Sequence, residues 1–274
     1  YLVESEQTRV LVDCGLFQGL KSLRLRNWAP FAVPPGSIDA VLLTHAHLDH
    51  SGYLPVLLKH GFDGPVYASS GTRDLCKILL ADAGHLQEEE ARYANKHKFS
   101  RHAPALPLYT RQEALAAMKS FAPVRFRRVT EIAGVFSSVL QPAGHLLGAA
   151  IATVDVAGRR FVFSGDLGRA ADPIMRPPAL IDSADYLVVE STYGNRLHVS
   201  GDPAADPEAV LGAAISRTVA RGGVVVIPAF AVGRAQALMY LLWRLRQRRA
   251  IPNVPVFLNS PMAADATRLY LQHA

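Results

Sequence analysis

The chain has 274 residues, half of them hydrophobic, with a formal net charge of +6 and a pI near 9.5. Such a chain can bury one large core, or one core and part of a second, and its basicity suits an anionic partner without identifying one. No signal peptide is visible, no apolar run reaches the ~18–20 residues of a membrane span, and two distant cysteines, Cys14 and Cys76, point to a reduced, cytoplasmic protein.

The chain opens on Tyr1 and runs at once into strand-like Leu2 and Val3, so a further strand is expected to precede it. Val10, Leu11 and Val12 form a second strand, joined to the first by the polar turn 4–9. Asp13 closes that strand, where it either caps the turn or orients a metal ligand from behind. Residues 16–36 show little periodicity and read as a loop.

Ala40, Val41, Leu42 and Leu43 read as a buried strand. The segment Thr44-His45-Ala46-His47-Leu48-Asp49-His50-Ser51-Gly52 follows, then a helix carrying Tyr53, Leu54, Val56, Leu57 and Leu58. Four potential metal ligands thus stand at the carboxyl end of a strand, where open α/β sheets place their sites. His45 and His47, two apart, can lean the same way from extended backbone, whereas Asp49 and His50 lie on the turn and face a neighbouring position. One ion cannot take all four from so tight a loop, so two metals side by side are expected. Imidazole with carboxylate suits zinc, and also manganese or iron. A lone buried histidine is most often a hydrogen-bonded core residue, but three with an aspartate would be costly to bury without partners.

A short strand over 65–68 leads to a long helix over 72–96, with Leu75, Ile78, Leu79 and Ala83 at helical spacing and a charged second half at Glu88, Glu89 and Glu90. Residues 95–107 are basic and irregular, and a solvated loop is a simpler reading there than a phosphate contact. A helix over 110–121 precedes a basic strand over 124–129. The strand over 135–140 leads into Pro142-Ala143-Gly144-His145-Leu146-Leu147-Gly148, which puts His145 at another strand end, between glycines that let backbones approach. Hairpin strands over 149–156 and 160–163 run into Ser164-Gly165-Asp166-Leu167-Gly168, and the carboxylate of Asp166 can bridge two metals. A strand over 186–189 ends in Glu190. Each polar group alone could cap a turn. Together they describe one catalytic edge of a sheet stack.

Residues 198–206 read as a linker. Beyond it, a helix over 208–220, a strand over 223–229, a helix over 234–249, a strand over 254–258 and a helix from Met262 give successive βα units on parallel strands. The middle helix has an apolar face of Ala237, Leu238, Leu241, Leu242 and Leu245 and a basic end of Arg244, Arg246, Arg248 and Arg249. Such charges suit a helix C-terminus whatever the ligand, so RNA contact there is the less favoured reading.

The run HAHLDH at 45–50, His145 in PAGHLLG and Asp166 in FSGDLGR resemble the metallo-β-lactamase fold. VVESTYGNR around Glu190, VVIPAFAVGRAQ over 225–236 and LNSPMA over 258–263 resemble its β-CASP branch, which processes nucleic acids. The resemblance covers nearly the whole chain. It implies an α/β fold: an incomplete metallo-β-lactamase αββα sandwich over 1–197, then part of a β-CASP α/β domain with parallel strands over 207–274. It implies that His45, His47 and His145 bind one zinc, that Asp49 and His50 bind a second, and that Asp166 bridges both, with manganese or iron as substitutes. Asp49, Asp166 and Glu190 would be the catalytic acids. Glu190 would orient Asp49 or His50 through hydrogen bonds, and Asp13 would support from behind. The implied activity is hydrolysis of RNA phosphodiester bonds, endonucleolytic or 5′–3′ exonucleolytic. The implied partner is single-stranded RNA, with DNA as an alternative and no membrane; a homodimer is compatible. The family has two further histidines beyond its inserted domain, whereas after Asp166 this chain has only His198 and His273, neither in the matching pattern. A fragment cut near both ends is therefore expected, with full activity belonging to the parent.

Two rivals share part of the pattern. A small-molecule hydrolase of the same fold, such as a thioesterase or lactonase, has the histidine motif but usually reaches its last histidine soon after the bridging aspartate. The α/β region after Glu190 argues against it. An inactive RNA-processing partner subunit would have lost ligands that are present here. No GxSxG turn or P-loop pattern is found, which disfavours serine-hydrolase and nucleotide-fuelled chemistry.

Overall fold

The computed structural model describes residues 1–6, 8–196 and 206–273. The first sheet is built from β1 (Leu2–Ser5), β2 (Thr8–Val12), β3 (Ala40–Leu42), β4 (Val66–Ser69) and β5 (Phe121–Val124), in that spatial order. β1 and β2 form an antiparallel hairpin, and every later pair is parallel. Its connections carry the short helix α1 (Lys21–Arg24), then α2 (Leu48–Ser51), α3 (Leu54–Lys59), α4 (Ser70–His97) and α5 (Arg111–Ala117). The second sheet contains β6 (Val129–Ile132), β7 (Phe136–Pro142), β8 (Ala150–Val156), β9 (Arg159–Phe163) and β10 (Tyr186–Val188). It is antiparallel from β6 to β9, and β10 joins β9 in parallel.

The side-chain period of two separates two cores. Val10 and Val12 of β2, with Ala40 and Leu42 of β3, face Ile132, Phe136, Leu140, Ala152 and Val154 across the sandwich. Leu11, Val41 and Leu43 point the other way, onto Leu54 and Leu57 of α3 and Leu75 and Leu80 of α4. Both faces of the central parallel strands are therefore buried. That is why Ala40, Val41, Leu42 and Leu43 form an unbroken apolar run rather than an alternating one.

Three local expectations shift. α4 starts earlier than expected because the Ser69 hydroxyl accepts the amide of Thr72 as a cap. α5 begins on a capping box of Thr110 and Glu113 but gives way after Ala117 to a 3₁₀ turn at Met118–Ser120. The single strand expected over 124–129 is instead a crossing between sheets. β5 ends at Val124, Arg127 adopts φ +60° and donates its amide to Leu140 O, and β6 begins at Val129.

Beyond residue 206 lie α6 (Pro207–Ala220), α7 (Arg234–Gln247) and α8 (Pro261–Gln272), where periodicity places them. Residues 198–205 of the expected linker, including His198, lie outside the described residues. The strands expected over 223–229 and 254–258 are not formed. Val224, Val226 and Phe257 are more than 80% exposed, and neither segment carries a ladder. A strand exists only through a paired neighbour, and β propensity alone does not supply one. Ile215, Leu245 and Ile251 make a small separate core. The arginine-rich end of α7 is used internally: Arg244 and Arg248 bind the buried Glu208 at 3.0 and 3.4 Å, and Arg246 bonds Asn253.

Candidate metal centre

Four strand ends converge. β2 delivers Asp13, β3 delivers the 44–50 segment, β7 delivers the loop carrying His145, and β9 delivers the loop carrying Asp166. His45, His47, His145 and Asp166 each offer one ligand atom, and these four atoms lie within 4.8 Å of one another. His47 Nδ1 stands 3.1 Å from His45 Nε2 and 3.2 Å from His145 Nε2. Asp166 Oδ2 lies 3.3 Å from His145 Nε2, 3.5 Å from His45 Nε2 and 3.9 Å from His47 Nδ1. Metal–ligand bonds of about 2.0–2.1 Å in a tetrahedron put ligands about 3.4 Å apart. The observed edges bracket that figure, so the donor set fits a divalent ion.

Asp166 divides its two oxygens. While Oδ2 faces the three histidines, Oδ1 lies 3.3 Å from His50 Nε2. Asp49 Oδ2 is 3.8 Å from the same His50 nitrogen, and its side chain is more than half exposed. Asp49, His50 and Asp166 thus form a second, more open group that shares the aspartate with the first.

Protons are fixed from behind. Asp13 Oδ1 accepts the Thr44 amide at 2.8 Å, and Asp13 Oδ2 accepts the Thr44 hydroxyl at 2.8 Å. The hydroxyl has one proton and gives it to the carboxylate, so Thr44 Oγ1 accepts from His45 Nδ1 at 3.1 Å. His45 then presents a bare Nε2 to the centre. Asp13 Oδ2 also accepts His50 Nδ1 at 2.7 Å, which leaves His50 Nε2 facing Asp166. This is the second-layer arrangement that sets the ring tautomer of a metal-binding histidine. Asp13 sits at φ +60°, a left-handed conformation that aspartate tolerates better than most residues.

The charges follow from burial and from these contacts. Burial lowers the pKa of His45, which is fully enclosed, against the opposing pull of Asp166. Burial and then the neighbouring His45 and His47 bring His145 down to about 4. Both rings are therefore neutral near pH 7, as ligands must be. For His50, burial also lowers the pKa, but hydrogen bonds to Asp13 and Asp166 outweigh it and push it up to about 10. The imidazoles of His45, His47 and His50 around it hold the Asp166 carboxyl far below the usual carboxylate range, against burial.

Glu190 departs from its expected role. Its Oε1 accepts the amide of Leu167 at 2.9 Å and its Oε2 that of Thr192 at 3.4 Å, so it braces the loop carrying Asp166. Among the described residues, the hydrogen bond to Asp49 or His50 expected of it is not among its contacts, and His50 is held by Asp13 instead. Ser164 completes the brace: its hydroxyl accepts Glu190 N at 3.0 Å and donates to Gly165 O at 2.6 Å. Thr44 and Ser164 were not singled out from the sequence. The signal for Thr44 was a hydroxyl residue directly before the HxH pair. His273 is away from the centre and bonds Asp74 at 2.9 Å. Gly15 shapes the site from the side: a Cβ there would fall 1.5 Å from Asp49 O, so only glycine lets the β2 loop pass under the 48–50 turn.

Comparisons with known proteins agree with this geometry. The profile of the metallo-beta-lactamase superfamily matches residues 1–201, and that of the Beta-Casp domain matches residues 235–274. The chain is 37% identical over 262 residues to Ribonuclease TTHA0252 of Thermus thermophilus, covering 96% of this chain and 55% of that protein. It is 33% identical over 280 residues to transcription termination factor FttA of Methanosarcina mazei, covering 100% of this chain and 41% of that protein. It is 34% identical over 269 residues to cleavage and polyadenylation specificity factor subunit 3-I of Arabidopsis thaliana, covering 95% of this chain and 36% of that protein. The chain thus spans about half the length, or less, of these relatives. With one profile covering most of its length and the other following it, the chain belongs to the metallo-beta-lactamase superfamily, in the branch that carries a Beta-Casp domain.

Proposed function

We propose that the protein is a metal-dependent ribonuclease that hydrolyses phosphodiester bonds of single-stranded RNA at a centre holding two divalent ions, zinc in the first instance. The observation that carries this reading is the division of Asp166 between the three-histidine group and His50. The names of the relatives, a ribonuclease and a cleavage and polyadenylation factor subunit, support RNA as the substrate. Residues 1–197 would form the catalytic unit and 207–274 part of the unit that helps hold the strand. The two buried thiols, Cys14 and Cys76, suit a reducing compartment, and the reading places the protein in the cytoplasm.

When bound, two cations would supply Lewis acidity at the phosphoryl oxygens and a water of pKa near ~7 in place of about 15.7. The chain supplies the rest. His45, His47, His145 and Asp166 Oδ2 would hold one ion; His50, Asp49 and Asp166 Oδ1 would hold the other. Thr44 keeps the His45 proton on Nδ1, and Asp13 keeps the His50 proton on Nδ1, so that each Nε2 faces inward. Asp166 is too weak a base to hold a proton near neutral pH, so its role is to anchor rather than to accept. Glu190 keeps the Asp166 loop in place through the Leu167 amide. Asp49, on the open side, leaves room for a phosphate to approach.

The test is incubation of metal-reconstituted protein with end-labelled single-stranded RNA, with DNA of the same sequence, and with a thioester. The reading expects metal-dependent RNA cleavage. Thioester turnover with intact RNA would replace it with a small-molecule hydrolase of the same fold.

A further inference from the structure

The loop that delivers His145 is tied down from several directions. Ser69 Oγ and Thr72 Oγ1, at the start of α4, both donate to Gly148 O, at 2.6 and 2.8 Å. Ala143 N donates to Ala149 O at 2.9 Å and closes the loop on itself, while Gly168 N, from the Asp166 loop, donates to Ala143 O at 2.8 Å. One more tie comes from far along the chain. Leu147 N donates to the hydroxyl of Tyr270 at 3.1 Å.

Tyr270 stands on α8, inside the segment matched by the Beta-Casp profile, whereas His145 belongs to the segment matched by the superfamily profile. α8 is firmly seated. Ala266 is fully buried in the first core, and Leu269 and Tyr270 pack against the same cluster. At the end of the helix His273 Nε2 lies 2.9 Å from Asp74 Oδ2 on α4. The seat therefore fixes a hydroxyl against an amide two residues beyond a proposed metal ligand.

We propose that Tyr270 is a positioning residue for the metal centre: by accepting the Leu147 amide it holds the His145 loop in register, so that metal affinity depends on the docking of α8 against α4. The proposal rests on the metal reading above. A ligand ring must reach its ion within a few tenths of an ångström, and partners behind the ligands typically govern metal affinity by about 10–100-fold. Coupling of this kind is reciprocal, so metal binding must in turn tighten α8.

The test compares the protein with Tyr270→Phe, which keeps the packed ring and removes the hydroxyl that accepts the Leu147 amide. Zinc affinity is measured by chelator competition, and ligand geometry by the visible spectrum of the cobalt(II) form. The expected result is about tenfold weaker zinc binding and a changed cobalt spectrum at saturation. Equal affinity and an unchanged spectrum in a folded Y270F would overturn the proposal and leave the metal reading intact. If the unsubstituted protein takes up no zinc, both fall together. Should Y270F fail to fold, hydrogen exchange in the unsubstituted protein decides: zinc is expected to slow exchange at the Leu147 amide and along α8, and no change at either would overturn the proposal.

Discussion

At the residue scale the decisive group is Asp13, which offers no ligand atom in the proposed scheme yet sets two residues that do. Its carboxylate fixes His45 through Thr44 and holds His50 outright. Asp13→Asn keeps the shape and removes the charge. Zinc affinity is expected to fall about 10–100-fold, with the site beside His50 affected most, as read by chelator competition. Unchanged affinity would mean that the aspartate only closes a turn. The protonation of His50 gives a second test. Its folded value, about 10, lies above the ordinary 6.5. In the metal-free protein the charged ring therefore stabilises the fold fully below about pH 6.5, and that contribution is lost as the pH climbs through about 10. A metal must displace the proton that His50 holds, so affinity should rise with pH across the same window and uptake should release protons. Titration calorimetry in buffers of different ionisation enthalpy is expected to show release of about one proton or more near pH 7.5. The 45–50 motif was legible because its ligands are neighbours in sequence. The pairing of His50 with Asp13 was not, because it depends on β2 lying beside β3, a register that no local pattern states. For Glu190 the resemblance implies Asp49 or His50 as partner, whereas the fold gives it the amides of Leu167 and Thr192.

At the scale of elements, the site is precise because its loops meet at backbone contact distance. Gly15 is the clearest case: any side chain there would strike the carbonyl of Asp49. Gly15→Ala is expected to cost about 1–3 kcal/mol in urea unfolding, as overpacked sites do, and to weaken the ion beside His50, since the 48–50 turn must move. Loss of stability without loss of metal affinity would separate the glycine from the site. Elements with strong internal signals were readable in the sequence: the helical spacing of Leu75, Ile78, Leu79 and Ala83, and the hairpin of β8 and β9. The segments 223–229 and 254–258 read as strands from their place in an alternating α/β pattern, but that pattern does not provide a partner, and their exposed valines and phenylalanine show it. The crossing at 125–128 was missed for a related reason. Its basic residues look like one strand when the two flanking strands belong to different sheets.

At the scale of the whole molecule, two sheets with buried faces act as a rigid base from which four loops reach one point. The segment after residue 206 contributes α8 to that base, and it pairs Glu208 with the arginines of α7 within its own small core. The net charge of +6 suits the polyanionic substrate proposed above without specifying it. Most of this plan follows from the motifs, including the nearness of Asp166 to the 45–50 histidines and to His145. What does not follow is which group each bracing residue holds, His50 for Asp13 and the Leu167 amide for Glu190, which requires the folded sheet. The measurement that bears most directly on the central claim is metal content after zinc loading and gel filtration, for the protein and for Asp166→Asn. About two zinc ions per chain are expected, falling to one or fewer when the shared carboxylate is removed. Retention of both ions by D166N, or no zinc in the unsubstituted protein, would contradict that claim.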